Sequence, residues 1–405
     1  MPIKPDPDRS TNTEGSAEAD ADSTSPRRTF LQRTTAVGLA STLVPARAAA
    51  PETTTKPIPK MTRPLIIDAL GGFANANITE AEEEGPTRGV DARSLADAKA
   101  SGLSAVNLTI GFVAGKDEPF EYSIRDIAHW DTLLRRHAAS LSKVLSVSDI
   151  RAARAQGKIG VICGFQNAAM MGNDASRAEI FADLGVRVIQ LTYNGRNALG
   201  DGAMVPENKG LTAFGREVVD ALNRHRVLVD LSHSGEAICL DAIAASKKPI
   251  LISHTGCRAL ADLPRNKSDR ELKLLADKGG FVGIYFMPFL AIGRQPMAAD
   301  LIAHIEHAIN ICGEDHVGIG TDGNVTQVDD MPAYMARFRE VVAKRRADGI
   351  AATGERDDIV TFLPDLTGPQ KFHKLADLLA KRGHSGRRIE KILGGNFMRV
   401  AGEVW

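Results

Sequence analysis

The chain has 405 residues, longer than an average domain but within the range of a single α/β barrel. Fifty basic and fifty acidic side chains cancel to a formal net charge of zero, and no Lys/Arg block is dense enough to follow a phosphate backbone, so nucleic acid is excluded as a partner. Four scattered cysteines (Cys163, Cys239, Cys257, Cys312) with no C-x-x-C pair exclude a disulfide framework or zinc ribbon and read as small buried apolar residues.

Residues 1–25 are rich in Asp, Ser, Thr and Pro, the composition of a segment unable to bury a core. Ser25-Pro26-Arg27-Arg28-Thr29-Phe30-Leu31-Gln32 then carries a twin-arginine pattern, followed by the short apolar run Ala36–Val44 and the small residues Ala46-Arg47-Ala48-Ala49-Ala50. The run is too short to span a bilayer, so residues 1–50 read as a tail plus a signal peptide. The expected destination is the periplasm or the exterior, with the twin-arginine machinery as a partner. Residues 51–61 (PETTTKPIPKM) read as a Pro/Thr linker, and 62–405 as one domain.

From residue 64, short β-branched runs alternate with amphipathic stretches. The predicted strands are Leu65–Ala69, Ala105–Gly111, Ile159–Phe165, Val186–Thr192, Val227–Ser232, Ile250–Ser253, Phe281–Phe286 and Val317–Thr321. The intervening segments read as helices, for example Ala213–Arg224 with Phe214, Val218, Val219 and Leu222 on one face. Nearly continuous apolar strands separated by helices predict a parallel sheet, and eight of them a closed (β/α)8 TIM barrel. A long segment from Gly323 to about Pro369 follows the last strand. Its charged helical stretch Ala336–Asp348 suits a lid over the barrel mouth.

In such a barrel the chemistry sits where strands run into their following loops. Those ends carry Asp68 and Leu70, Gln166 and Asn167, Tyr193 and Asn194, His233, His254 and Asp322. His233 and His254 end consecutive strands, each preceded by serine. Two imidazoles so placed either converge on one ion or cap backbone groups, and Asp322 at the same mouth favours the first. His129, His137, His225, His304, His307, His373 and His384 fall in helical or connecting segments, and His316 begins the last strand at the opposite end.

These motifs resemble the membrane (renal-type) dipeptidases, peptidase family M19. The likeness runs over 64–402, through Leu184-Gly185-Val186-Arg187, Leu191-Thr192-Tyr193-Asn194, Gly210-Leu211-Thr212-Ala213-Phe214-Gly215, Val229-Asp230-Leu231-Ser232-His233, Ser253-His254, Pro264-Arg265-Asn266, His316-Val317-Gly318-Ile319-Gly320-Thr321-Asp322 and Ile392-Leu393-Gly394-Gly395-Asn396-Phe397. The resemblance implies two zinc ions sharing a bridging carboxylate, with His233 and His254 matching the ligands of one. Leu70 and Gly72 stand where it implies the His and Asp of the other, and Gln166 where it implies the bridging glutamate. Tyr193 replaces a substrate-contacting histidine, with Asn194 beside it. Arg265 matches an arginine that contacts the substrate carboxylate, and Asp322 an aspartate that handles the proton near the scissile bond. The resemblance also implies a homodimer.

Leucine and glycine offer no lone pair, so the expectation is one divalent ion, zinc, on His233 and His254, completed by Gln166 and by Asp322 at the same mouth. The leading reading is a hydrolase of a small dipeptide or related amide, with Asp322 catalytic and Arg265, Tyr193 and Asn194 contacting substrate. Two others stay open: an isomerase or lyase using Tyr193 and Asp322 as acid and base, and a carboxylate-binding protein without catalysis.

Overall fold

A computed structural model describes residues 64–79 and 89–405, all within the unit Pro59–Trp405. The tail, signal peptide and linker expected over 1–61 lie outside the described residues. Among the described residues no helix is long and apolar enough to cross a membrane.

Among the described residues eleven strands follow in chain order: β1 (Ile67–Gly71), β2 (Ala105–Thr109), β3 (Leu141–Lys143), β4 (Ile159–Phe165), β5 (Val186–Gln190), β6 (Arg196–Asn197), β7 (Gly200–Asp201), β8 (Leu228–Asp230), β9 (Leu251–Thr255), β10 (Phe281–Ile284) and β11 (Val317–Ile319). The path β1-β2-β4-β5-β8-β9-β10-β11 contains the eight expected strands, each paired in parallel with the next. β3 adds to β4, and β6 and β7 form a small antiparallel hairpin; neither was expected. The return from β11 to β1 is made by single contacts: Asp322 N–H donates to Leu70 O at 2.8 Å and Gly72 N–H to Gly323 O at 3.1 Å. The Asp68 carboxylate adds to the seam, accepting from Thr321 N–H at 2.7 Å and Thr321 Oγ1 at 2.6 Å. The architecture is the (β/α)8 barrel.

Alternation along the strands sorts apolar side chains into two clusters. Ile67, Ala69, Ala105, Ile162, Val188, Leu228, Leu251 and Phe281 form one, joined by Phe397, Val400 and Val404 of the C-terminal helix Asn396–Val404. Val106, Leu108, Val161, Ile189, Val229, Ile252 and Val317 belong to the other, with buried helical residues such as Val218, Val219 and Leu222. The helix Ala213–Arg224 begins where Thr212 Oγ1 accepts from Gly215 N–H at 2.9 Å. Gly394, next to the C-terminal helix, lies against Leu65 and Ile67 at the start of β1, so that helix covers the end of the barrel opposite the strand C-termini. Polar chemistry is left to the other end.

After β11 a helix spans Met331–Ala347, five residues earlier at its start than the stretch expected from 336. Asp330 caps it, its side chain accepting from Ala333 N–H at 2.9 Å, and Pro332 fits the first turn, where no amide is needed. It buries Phe338 and Val342. All four cysteines are free and buried, as expected.

Candidate active site

Two buried aspartates hold the strand ends in register. Asp230, the last residue of β8, accepts from Ser232 N–H at 3.1 Å and Ser232 Oγ at 2.6 Å, and across the gap from Ser253 N–H at 3.0 Å and Ser253 Oγ at 2.5 Å. Burial raises its pKa and these four donors pull it back. Asp68 plays the matching part between β1 and β11. Near it Lys371 is buried, its Nζ donating to Asn324 O at 3.1 Å, and desolvation lowers its pKa to about 8 against the pull of Asp68.

The Asp230 network fixes the tautomer of His254. Ser253 Oγ donates to Asp230, so it accepts from Nδ1–H of His254 at 2.7 Å, leaving Nε2 as the lone-pair nitrogen. That Nε2 is buried without a hydrogen-bond partner. The His233 ring lies 5.0 Å away, centroid to centroid. Its Nδ1–H donates to Asn194 Oδ1 at 2.7 Å, and the Asn194 amide donates in turn to Ile350 O at 2.9 Å. Tyr193 stacks on the imidazole at 4.2 Å. Both histidines have pKa values well below the usual range, first by burial and then by the Arg265 guanidinium, so both are neutral.

Arg265 is buried beside them. One terminal nitrogen donates to Ser232 O at 2.5 Å and the other to Nε2 of His233 at 3.1 Å. The turn that delivers it is anchored by Asn266, whose amide donates to Ala261 O at 2.7 Å and Phe289 O at 2.9 Å, and by Thr255 Oγ1 donating to Arg265 O at 3.0 Å.

Asp322 sits three residues beyond the end of β11 with φ of 53°, a left-handed conformation that aspartate tolerates better than most residues. It is half-buried, and desolvation lifts its carboxyl to about 6 while Arg265 and Arg345 pull it down. Tyr193, Asn194, His233, Arg265 and Asp322 share one cavity of about 430 Å³. The helix Met331–Ala347 forms its far wall with Tyr334, Arg337, Phe338, Val341 and Arg345, as a lid would. Arg345 donates to Glu355 Oε1 at 2.6 Å and faces the same cavity as Tyr193, the ring stacked on His233.

Five of the seven expected site residues therefore meet on one cavity. His254 lies buried behind it, in ring contact with His233. Gln166 does not line it; its Nε2 donates to Thr109 Oγ1 at 2.6 Å. Sequence reading missed Arg345, Glu355 and Lys371, since a charged helix and one lysine among many carry no local signal of what they face. It quoted Asp230 only as part of a motif.

The expected ion on His233, His254 and Gln166 can be tested on this donor set. The lone pair of His254 Nε2 is open, but that of His233 Nε2 is engaged by Arg265, and a dication there would meet a guanidinium at hydrogen-bond distance. Among the described residues no three His, Cys, Asp or Glu side chains are gathered so as to hold a metal. As arranged, the donors do not fit the ion.

The profile of the membrane dipeptidase family, peptidase family M19, matches residues 92–344. The dipeptidase tcpJ of Claviceps purpurea is 28% identical over 291 residues, 70% of this chain and 60% of that protein. The chain spans about six-tenths of the length of the first curated dipeptidases it matches. An amidohydrolase from Pseudomonas aeruginosa superposes with a TM-score of 0.71 at 33% identity, over 84% of this chain and 97% of that one. A metallo peptidase from Rhodobacter sphaeroides, solved with a phosphinate mimic of the dipeptide L-Ala-D-Ala, shares the fold at 19% identity and a TM-score of 0.67, over 84% and 99%.

Proposed function

The chain belongs to the membrane dipeptidase family, peptidase family M19, and we propose that it hydrolyses a small dipeptide or related amide carrying a free carboxylate. The observation that carries this reading is the placing of Arg265 and Asp322 on one cavity, a fixed cation beside a carboxyl whose pKa lies near 6. A guanidinium held by Ser232 O presents its fork to a carboxylate with little loss of side-chain freedom. Asp322, mostly ionised at neutral pH, takes a proton from water as the water oxygen bonds to the amide carbon. It then gives that proton to the departing nitrogen as the C–N bond breaks, leaving an amine and a carboxylic acid that ionises to solvent. Tyr193, Asn194 and the helix Met331–Ala347 line the cavity around the reacting group.

The family implies a divalent metal, and the finer expectation of a single zinc on His233, His254 and Gln166 requires Arg265 to leave Nε2 of His233. The site of action we propose is the periplasm or the exterior, from Arg27-Arg28 and the small residues ending at Ala50.

The test is a panel of dipeptides incubated with the purified full chain, with and without added divalent ions, read as free amino acids released. Release that disappears in Asp322→Asn is the expected result. No release from any dipeptide under either condition would overturn the reading.

A further inference from the structure

A second cavity, of about 260 Å³, opens beside β1 on the side of Asp322 away from Arg265. Leu70, Phe73, Leu108 and Trp130 form its apolar walls, and Thr109, Asp322 and Asn324 line it about as extensively with polar ones. Gly72 also lines it, on the loop where the family resemblance implies a cation ligand. Neither Leu70 nor Gly72 has a lone pair on its side chain, so this space is not built to hold an ion. Its shape is fixed. Leu70 and Leu108 are almost fully buried in the barrel wall, and a Cβ on Gly89 would come within 3.1 Å of the Trp130 ring, so the glycine lets the indole lie close against the backbone.

We propose that this cavity is the subsite for the side chain of the acyl half of the substrate, and that the side chain it takes is apolar, of the size of leucine or phenylalanine. The inference rests on the reading of the main cavity as an amide-hydrolysing site and sets the direction in which the substrate lies there. Asp322 is on the walls of both cavities. A carboxylate held at Arg265 leaves the amide over Asp322, and the half beyond the amide can continue toward β1, where the space of about 260 Å³ exceeds the roughly 110 Å³ left on the Lys371 side. On the β1 side it meets Leu70, Leu108 and Trp130. An apolar side chain leaves water on entering such a pocket, whereas glycine at the same place leaves the pocket to water.

The experiment compares two reduced-amide dipeptides, leucyl-alanine and glycyl-alanine with CH2–NH in place of the amide, so that binding is measured without turnover. Calorimetry on the full chain is expected to show the leucyl ligand binding at least about tenfold more tightly, the scale on which apolar pockets discriminate side chains of different size. Leu70→Phe, which fills the pocket, and Trp130→Ala, which removes its outer wall, are each expected to bring the ratio to within about twofold of unity. The second variant alters a half-exposed position and guards against a folding defect in the first. A ratio near unity in the unsubstituted chain, a ratio unchanged in both variants, or no binding of either ligand would overturn the proposal. A ratio that behaves as expected in a protein that cleaves no dipeptide would support the subsite while removing the reaction assigned to its neighbour.

Discussion

Nε2 of His233 accepts a hydrogen bond from the guanidinium of Arg265 at 3.1 Å, while the corresponding nitrogen of His254, buried beside it, has no partner. The two imidazoles are thus unequal as ligands. One lone pair is taken by a cation and the other waits for a donor or an ion. Zinc is therefore expected to bind the unsubstituted chain at well under one equivalent after exhaustive dialysis. Arg265→Ala, by freeing Nε2, is expected to raise zinc affinity by roughly tenfold or more, the effect of adding one nitrogen ligand. Elemental analysis and competition with a chromogenic chelator would read both. A full equivalent of tightly held zinc in the unsubstituted chain would show that Arg265 gives way.

The carboxyl of Asp322, lifted from 3.8 to about 6 by desolvation, makes a paired prediction on activity and stability. As a base it must be ionised, so kcat/KM is expected to fall as pH drops through about 6. Stability runs the other way. The folded chain keeps a proton that the unfolded chain releases between about pH 4 and 6, so this group's contribution declines as pH rises across that window. Asp322→Asn is therefore expected to stabilise the fold near neutral pH, by at most about 3 kcal/mol, and to do little near pH 4. Urea unfolding at the two pH values checks this; equal effects at both would show that the carboxyl is not desolvated in solution.

Gly72 and Asn324 face one another across the barrel seam. A Cβ on Gly72 would lie 2.5 Å from Asn324 Oδ1, which accepts from Ala74 N–H at 3.0 Å. Gly72→Ala is expected to cost about 1–3 kcal/mol, and Asn324→Ala to return most of that in the double variant. Rebuilding a two-ion site through Leu70→His, Gly72→Asp and Gln166→Glu should accordingly fail to bind a second zinc until Asn324 is also shortened. Additive urea-unfolding energies for Gly72→Ala and Asn324→Ala would mean that the two side chains do not compete.

The export signal is tested in the cell. Arg27→Lys with Arg28→Lys is expected to leave the precursor in the cytoplasm, because the pathway reads the arginine pair itself. An unchanged periplasmic level on immunoblots of fractionated cells would remove the assignment.

The eight strands of the barrel are legible because each is a nearly continuous apolar run, almost wholly buried, and the strand ends follow from them. That is why Tyr193, Asn194, His233, His254 and Asp322 follow from the strand pattern, whereas Arg265, on the turn after β9, is marked only by the Pro264-Arg265-Asn266 motif of the family resemblance. β3 was not legible, since only Leu141 of its three residues is buried, and the hairpin Arg196–Asn197 with Gly200–Asp201 has no apolar pattern at all. The seam and staple functions of Asp68 and Asp230 exist only between strands that meet in space. The pairing of Arg345 with Glu355 depends on how the segment after β11 folds back, which spacing does not encode. Gln166 was placed by motif alignment, and its bond to Thr109 is likewise a property of neighbouring strands.

The claim that joins these observations is that Arg265 holds a substrate carboxylate while Asp322 moves the proton at the adjoining amide. The most direct measurement is kcat/KM for a dipeptide against the same dipeptide with its C-terminal carboxylate converted to a carboxamide, in the unsubstituted chain and in Arg265→Lys. Loss of the charged partner is expected to cost the unsubstituted chain roughly a hundredfold, the scale of a desolvated charge-assisted pair, and the variant much less, because its compact ammonium lacks the fork. Equal turnover of the two substrates by the unsubstituted chain would contradict the account.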